Sequence, residues 1–371
     1  MQNNFAVILR LNLKYTLTGL NGTIRSLAEL DNGYLASGSD DFTLRIWDLK
    51  NQVVKYSFDF KNGQTSDSIR TLLNLGNNYL ASGSNDGFIR VWSFNDKPEL
   101  ISTFNSTNNG HTEAVLQLIL FKNFMISCSG DQTIKVWNIT DIRNIHLVHT
   151  FIGHSRPVSS IVQLSNDQIA SSSYDRSIKI WDMNTLNLNY TFNSTNGGHT
   201  NSILYLVKSG NFLISSSVKI DDRPGDIKVF DWTKQKMIYT FDTRNGGHEG
   251  FIFALESLEN TDYVASGSYD GLIKIWDIKN GKLKCTFTEH KGSVWSFIYL
   301  GNDLLVSGAG DEMGTFGEVN LWNVKNESLV YSFDKQNGGH SKRIYSFLRL
   351  KNGDLASGSV DQTIKIWNTK N

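Results

Sequence analysis

The sequence contains little cysteine or proline and carries no net charge. Among 371 residues there are 2 cysteines and 3 prolines, and 36 Lys and Arg residues balance 36 Asp and Glu residues. Two cysteines cannot build a disulfide scaffold or a cysteine-rich metal module, and so few prolines exclude proline-rich linkers. Because balanced charge gives no overall basic field for gripping a phosphate backbone, we do not expect a nucleic-acid partner.

Long apolar runs are also missing. No run reaches the roughly 18 apolar residues of a membrane span, and the run at residues 5–9 is shorter than the roughly 7–15-residue core of a signal peptide. We therefore expect a protein of the cytoplasm or nucleus with no membrane partner. Hydrophobic residues still make up 39% of the chain and aromatic residues 12%, which suffices for a packed core and excludes wholesale disorder.

One segment recurs along the whole chain. Residues 35–48 read LASGSDDFTLRIWD, and residues 264–277 read VASGSYDGLIKIWD. Such self-similarity at a fixed period is the signature of a repeat architecture. There are eight copies, with their aromatic residues 44 to 49 positions apart: Trp47, Trp92, Trp137, Trp181, Phe230, Trp276, Trp322 and Trp367.

Each copy reads as four short strands, a to d. In the first copy they are predicted at residues 24–30, 34–39, 44–48 and 53–58, with Asp31-Asn32-Gly33 as a hairpin turn. No window shows convincing helical periodicity, so essentially no helix is expected. A single four-stranded unit cannot bury both of its faces, whereas radial packing of eight units can.

These motifs resemble the WD-repeat β-propeller family. The resemblance rests on a Gly-His pair, an S-x-S/G-x-D segment and an aromatic residue followed by Asp, Asn or Ser, and it covers residues 13–371. Residues 1–12 would be a short N-terminal extension. The resemblance implies an all-β, eight-bladed propeller of four-stranded antiparallel blades, although propellers of this family mostly have seven blades.

The strand count supports eight blades and predicts how the ring closes. Seven d strands follow seven of the aromatic residues, but only four residues follow Trp367, which is too few for another strand. The missing strand d is predicted at residues 13–17, LKYTL. Blade 8 would then combine three C-terminal strands with this N-terminal one, which removes the open sheet edges.

The resemblance also implies a hydrogen-bonded tetrad of His, Ser, Asp and Trp within a blade. A buried network of this kind would fix the geometry of each blade. The complete sets are His111, Ser127, Asp131 and Trp137; His154, Ser171, Asp175 and Trp181; His248, Ser266, Asp270 and Trp276; and His340, Ser357, Asp361 and Trp367.

Several blades depart from this pattern. Leu20 and Thr65 take the His position in blades 1 and 2, and Phe230 replaces Trp in blade 5. Blades 5 and 7 keep Ser215 and Ser307 but have no aligned Asp in a b–c turn that is five residues longer.

The recurrence of His, Ser and Asp argues against catalysis, because an enzyme needs one exposed nucleophile rather than a set repeated beside an indole. No enzyme activity, catalytic residue, metal or cofactor is therefore expected. Some eight-bladed propellers are quinone-dependent dehydrogenases, which keeps a propeller enzyme as a remote alternative, but their blade motifs and metal set are not found here.

A partner would bind where the d–a loops and b–c turns emerge, which we call the top face. One strand-a position is predicted to point toward its rim, and it holds Arg25, Arg70, Leu116, Ser159, Leu204, Phe253, Trp295 and Tyr345 around the ring. Phe251, Arg343, Tyr174 and Tyr269 lie nearby. Aromatic residues concentrate in blades 6 to 8, and aromatic and Arg side chains commonly anchor protein interfaces.

We therefore expect a non-catalytic scaffold that binds a peptide or protein segment on the top face. Its predicted contact residues are Arg25, Arg70, Tyr174, Phe251, Phe253, Tyr269, Trp295, Arg343 and Tyr345. An alternative is a reader of acidic or phosphorylated motifs, since Arg25 and Arg70 lie one blade apart and Arg suits bidentate phosphate binding. The blade count also resembles that of eight-bladed F-box propellers, although the chain contains no F-box segment.

Overall fold

The computed structural model describes residues 11–59, 67–218, 225–311 and 313–369. Within them, eight four-stranded antiparallel sheets account for the regular structure. In this part of the chain the helices are three single-turn 3-10 helices, and none is long or apolar enough to cross a membrane. They are Ser194–Asn196, Thr243–Asn245 and Lys335–Asn337. The predicted all-β class and eight blades are confirmed.

The innermost strand of each sheet, strand a, contacts strand a of the next blade, and the last contacts the first. These strands therefore surround a central channel. They are β2 (Ile24–Glu29), β6 (Ile69–Gly76), β10 (Val115–Phe121), β14 (Val158–Gln163), β18 (Ile203–Ser209), β22 (Ile252–Leu258), β26 (Ser293–Gly301) and β30 (Ile344–Arg349).

Strand b lies between strands a and c and is almost wholly buried, because neighbouring blades cover both of its faces. This explains why most of its residues are either small, such as Ser, Gly and Ala, or apolar. The b strands are β3 (Leu35–Ser39), β7 (Tyr79–Ser84), β11 (Phe124–Ser129), β15 (Gln168–Ser173), β19 (Phe212–Ser217), β23 (Tyr263–Ser268), β27 (Leu304–Gly310) and β31 (Leu355–Ser359).

Strand c carries the repeated aromatic residue into the core between blades. Seven of these eight side chains are at most 2% exposed, and Trp92 is 3% exposed. The c strands are β4 (Thr43–Asp48), β8 (Ile89–Ser93), β12 (Ile134–Asn138), β16 (Ile178–Asp182), β20 (Ile227–Asp231), β24 (Ile273–Asp277), β28 (Gly317–Asn323) and β32 (Ile364–Asn368).

Strand d is the outer edge of each blade. Seven d strands follow their own strand c along the chain, while the eighth comes from the N-terminus. They are β5 (Val53–Asp59), β9 (Glu99–Phe104), β13 (His146–Phe151), β17 (Asn187–Phe192), β21 (Lys236–Phe241), β25 (Lys282–Phe287), β29 (Ser328–Phe333) and β1 (Asn12–Leu17).

The predicted closure of the ring by the N-terminal strand is confirmed. β1 pairs antiparallel with β32, where Leu13 lies opposite Trp367 and Leu17 opposite Ile364. Leu17 is 2% exposed and packs in the core between blades 8 and 1. The strand begins at Asn12, one residue before its predicted start. Residues 1–10, most of the predicted extension, lie outside the described residues.

Blade 8 also packs tightly on blade 1 through its strand b. A Cβ atom on Gly358 would lie 2.6 Å from Cγ2 of Ile24, the first residue of β2. In the same way, a Cβ atom on Gly38 would lie 2.5 Å from Cγ2 of Ile69, the first residue of β6 in blade 2. The glycine in these two LASGS segments therefore leaves room for the branched side chain of the following blade, and the same packing occurs at the ring closure.

Candidate functional site

The four predicted tetrads form hydrogen-bonded chains between the top loops and the core. In blade 3, Trp137 Nε1 donates to Ser127 Oγ at 3.0 Å, and Ser127 lies 2.7 Å from His111 Nε2. His111 Nδ1 lies 2.8 Å from Asp131 Oδ2. The other three predicted sets have the same connections.

The chain of bonds in blade 3 has a single consistent direction. Burial lowers the pKa of His111, so the imidazole is neutral and its one N–H points to Asp131. Burial opposes ionisation of Asp131, but hydrogen bonds from His111 and Thr133 outweigh it and hold the pKa of Asp131 well below its usual range. Ser127 therefore donates to His111 and accepts from Trp137.

This order of donors matches that of a serine hydrolase triad, but access to the serine differs. Ser127 is 0% exposed, and the indole N–H of Trp137 already occupies its oxygen. A nucleophile needs an open approach to a substrate carbon. Among the described residues, no group of three or more His, Cys, Asp or Glu side chains is placed to hold a metal ion. The tetrads therefore act as structural ties.

Blades 5 and 7 obtain their carboxylate from the far end of the longer b–c turn. His199 Nδ1 lies 2.6 Å from Asp226 Oδ1, and His290 Nδ1 lies 3.1 Å from Glu318 Oε2. Both carboxylates lie four residues before the strand-c aromatic, where blade 3 has Thr133. The tetrad is thus complete in blade 7, and in blade 5 it lacks only the indole. The four predicted tetrads have their Asp six residues before the aromatic residue, so counting back by that spacing would not have found either carboxylate.

Blade 1 lacks the histidine link. Leu20 is 4% exposed and packs in the core, while Asp41 binds Thr43 and the Asn21 N–H. Trp47 Nε1 still donates to Ser37 Oγ at 2.8 Å. The corresponding position in blade 2, Thr65, lies outside the described residues.

The predicted rim position is a β-bulge in every blade. Pairing between strands a and b skips one residue, such as Arg25 between Ile24 and Ser26 in blade 1. The same shift occurs in the other seven blades at the predicted positions. A bulge re-aims the side chain of the extra residue, so it explains why one position of strand a differs so much among the blades.

Five aromatic side chains of blades 6 to 8 form a continuous cluster on the top face, the aromatic strip. It consists of Phe251, Phe253, Tyr269, Trp295 and Tyr345. Phe253 stacks on Trp295 with ring centroids 4.0 Å apart and planes at 7°, and Phe251 lies parallel to Phe253 at 5.9 Å. Trp295 meets Tyr345 edge-on at 5.5 Å.

The strip is not equally open along its length. Phe251 is 38% exposed and Tyr269 is 48% exposed, whereas Phe253, Trp295 and Tyr345 are half-buried. Trp295 Nε1 also donates to the Gly310 carbonyl at 3.2 Å, which ties the strip to the long turn of blade 7. The open end of the strip is therefore on blade 6.

Two arginines already stack on the buried end of the strip. The Arg343 guanidinium lies 4.8 Å from the Trp295 ring centre and 5.4 Å from that of Tyr345, and the Arg25 guanidinium lies 4.5 Å from that of Tyr345. Cation–π contacts of this kind hold the rings in place. Arg25 also forms an ion pair with Asp40 at 2.7 Å, so its charge is neutralised within the chain.

The remaining two predicted contact residues lie outside the strip. Arg70 of blade 2 is exposed, and its described partner is the uncharged Asn85 side chain. Tyr174 of blade 4 is 38% exposed and makes no ring contact with the strip. The structure thus groups seven of the nine predicted residues and leaves Arg70 and Tyr174 elsewhere on the rim.

Sequence reasoning missed Tyr205, one residue beyond the bulge of blade 5. The corresponding positions hold Ser26, Thr71, Gln117, Ser160, Ala254, Ser296 and Ser346. Tyr205 is 41% exposed, and desolvation raises the pKa of its hydroxyl to about 12, an effect to which Tyr174 and Tyr345 add. Tyr205 is the one aromatic side chain at that position, so an alignment of the eight copies would have singled it out.

Comparison with known proteins agrees with this architecture. The family model described as "WD domain, G-beta repeat" matches six segments that together make up more than half of the chain. The segments are residues 11–48, 57–93, 99–138, 145–182, 235–277 and 328–368. The chain belongs to the WD-repeat family. The unmatched stretches contain strands a to c of blades 5 and 7, whose turns are longer and whose carboxylates are displaced.

Similar proteins support the repeat and the fold. A 44-residue stretch is 48% identical to the E3 ubiquitin-protein ligase COP1 of Pisum sativum. The stretch covers 12% of this chain and 6% of that protein. The crystal structure of the computationally designed Ika8 protein superposes with a TM-score of 0.75 and 25% identity, over 95% of this chain and 99% of that one. The crystal structure of Saccharomyces cerevisiae Sqt1 superposes with a TM-score of 0.81 and 12% identity, over 97% of this chain and 99% of that one.

Proposed function

We propose that this WD-repeat propeller is a non-catalytic interaction scaffold that holds a peptide or protein segment on its top face. The aromatic strip carries the proposal. An exposed aromatic cluster on a protein surface commonly marks a binding site, and rigid aromatic and Arg side chains dominate the energetics of such sites. The bulges, the stacked arginines and the tetrads hold these rings in place, so little conformational entropy is lost when a partner binds.

The relatives favour binding over catalysis without naming a partner. WD-repeat propellers generally serve as scaffolds for other proteins, and the buried serines of the tetrads offer no nucleophile. The match to the E3 ubiquitin-protein ligase extends over about one blade, so it reflects the repeat and transfers no activity.

A reader of acidic or phosphorylated motifs is the second candidate. The notable observation is the difference between its two arginines. Arg25 is paired with Asp40, whereas Arg70 is exposed beside a neutral amide. An anion would therefore meet a charge at Arg70 that forms no direct ion pair with a described residue, although Asn85 also donates to Asp67, and it would meet a neutralised charge at Arg25.

Alanine substitution within the strip tests the main proposal. Phe251→Ala and Trp295→Ala should weaken capture of the partner from native lysate by about tenfold or more, since truncation of an aromatic anchor typically costs about 2 kcal/mol or more. The control is Leu188→Ala, which truncates a side chain of similar exposure, 45%, on the outer strand of blade 4. Capture is measured by quantitative mass spectrometry against the wild-type chain.

Thermal unfolding of each variant separates binding from folding. Phe251→Ala removes an exposed ring and should leave the melting temperature close to that of the wild type. If Phe251→Ala and Trp295→Ala both fold and both retain every partner that the wild type captures, the strip is not the binding surface.

A further inference from the structure

One position of strand c differs between the blades that have a histidine and the blades that lack it. It lies two residues before the repeated aromatic residue. In the six blades with the histidine it holds Lys135, Lys179, Lys228, Lys274, Asn320 and Lys365, and in blades 1 and 2 it holds Arg45 and Arg90. At this position Arg therefore occurs only in the two blades that lack the histidine.

This strand-c position lies beside the place that the histidine occupies. In blade 7, Asn320 Nδ2 is 3.1 Å from His290 Nδ1. In blade 4 the lysine points outward instead, and Lys179 Nζ donates to Thr191 Oγ1 of strand d at 3.2 Å. A long side chain at this position can therefore reach the partners of the histidine in a blade where the histidine is missing.

Arg45 joins the same two loops in blade 1 that the histidine joins elsewhere. Its Nη1 donates to the Gly19 carbonyl in the d–a loop, and its Nη2 lies 3.8 Å from Asp41 Oδ2 in the b–c turn. The Asn21 N–H also donates to Asp41 Oδ2, at 2.9 Å. A guanidinium presents five N–H donors in a rigid fork, so it can hold a carbonyl and a carboxylate in fixed positions together. We call Arg45, Gly19, Asn21 and Asp41 the blade-1 clasp.

Blade 2 repeats part of this arrangement. Arg90 is 4% exposed, and a buried guanidinium is costly unless it is paired. Its Nη1 donates to Ser84 Oγ at 3.4 Å, and Ser84 Oγ donates to Asp86 Oδ1 in the b–c turn at 2.6 Å. Most of the d–a loop of blade 2 lies outside the described residues, so the described part of the chain shows both joined loops in blade 1.

The loop that Arg45 holds leads out of the closing strand. Residues 18–23 connect β1, the outer strand of blade 8, to β2, the inner strand of blade 1. Lys14 Nζ, 2.8 Å from Asp354 Oδ2, holds β1 itself to blade 8. Release of the loop would therefore free the end of β1 at Leu17, while the start of the strand stayed attached.

We propose that Arg45 replaces the missing histidine of blade 1 and acts as a clasp on the ring closure. While the blade-1 clasp is closed, the loop after β1 lies against the b–c turn and the end of β1 stays paired with β32. When it is broken, this end opens without unfolding of the other blades, as local segments of low stability do in folded proteins. The clasp operates whether or not a partner binds the top face.

Native-state hydrogen exchange of Arg45→Lys and Arg45→Gln, measured by mass spectrometry, tests the clasp. Arg45→Lys keeps the positive charge but loses the forked donors. Peptides that cover residues 15–23 should exchange about tenfold faster than in the wild-type chain, since hydrogen bonds that involve a charged group are among the stronger ones. Peptides that cover β21, strand d of blade 5, should exchange at the wild-type rate. The control is Lys179→Gln, which changes the same position in blade 4 and should leave residues 15–23 unaffected.

A reciprocal exchange tests whether Arg45 performs the role of the histidine. Leu20 precedes Asp41 and Trp47 by as many positions as His154 precedes the Asp and Trp of blade 4. The double variant Leu20→His/Arg45→Lys therefore recreates the residue pattern of a complete blade. It should return the exchange of residues 15–23 to within about twofold of the wild-type rate.

The exchange rates decide the outcome. If Arg45→Lys folds and residues 15–23 exchange at the wild-type rate, Arg45 is not a clasp. If β21 exchanges faster by the same factor, Arg45 contributes only to overall stability, which also overturns the proposal. If Arg45→Lys opens the end of β1 and the double variant does not close it again, Arg45 does not stand in for the histidine. Should Arg45→Gln fail to fold, the more conservative Arg45→Lys decides.

Discussion

Removal of residues 1–17 should abolish cooperative folding of the ring. The truncation removes β1, the outer strand of blade 8, and with it the fully buried Leu11 and the nearly buried Leu17. Each such side chain contributes about 1.5–3 kcal/mol by burial. The loss also exposes the edge of β32, which then can pair with other chains. We expect aggregation on size-exclusion chromatography and no cooperative thermal transition.

A shorter truncation serves as the control for this experiment. A chain without residues 1–10 keeps every described strand and should melt as the full chain does. A chain without residues 1–17 that remains monomeric and melts at the same temperature would contradict the role of β1.

Ser127→Ala should destabilise the protein more than Ser37→Ala does. In blade 3 the serine serves both Trp137 Nε1 and His111 Nε2, whereas in blade 1 it serves Trp47 Nε1 alone. Leaving a buried polar group without a partner costs about 1–3 kcal/mol. The free energy of unfolding should therefore fall by about 2–6 kcal/mol for Ser127→Ala and by about 1–3 kcal/mol for Ser37→Ala.

Denaturant unfolding of the two variants beside the wild type measures this difference. Both serines are 0% exposed and both substitutions remove the same atom, so the pair is closely matched. Equal losses would mean that the histidine contributes nothing to the stability of its blade, and the tetrads would lose their role as structural ties.

The sequence predicted the ring well because the repeat constrains it strongly. A buried strand b, a strand-c aromatic and a Gly-His turn recur at nearly fixed spacing, and each has a physical reason that applies to every blade. Closure by the N-terminal strand was predicted by counting the d strands, and the pairing of β1 with β32 confirms it. Strand bounds differed from prediction by about a residue at several ends, as is usual for such boundaries.

Features that depend on exceptions to the repeat were not predicted. Asp226 and Glu318 were missed because they lie four residues before the strand-c aromatic residue, whereas the Asp of the four predicted tetrads lies six residues before it. Tyr205 was missed because one residue along a strand reverses the direction of a side chain, and a bulge shifts that register. The pairing of Arg25 with Asp40 removes a charge that sequence alone counts as available.

The most direct test of the ring is an engineered disulfide between its first and last strands. Thr16 and Lys365 are paired residues of β1 and β32, and Lys365 Nζ lies 3.1 Å from Thr16 Oγ1. Directly opposed residues of an antiparallel pair come close enough for a disulfide. The control variant combines Thr16→Cys with Lys228→Cys, which changes the corresponding lysine of blade 5.

The folded Thr16→Cys/Lys365→Cys variant is oxidised under mild conditions, and peptide mapping then shows whether the two engineered cysteines are joined by a disulfide. The eight-bladed closure predicts an intramolecular disulfide in the Thr16→Cys/Lys365→Cys chain and none between the engineered cysteines of the control. Free thiols at both positions of the folded variant, or disulfides only between chains, would contradict the closure and with it the placement of every rim residue.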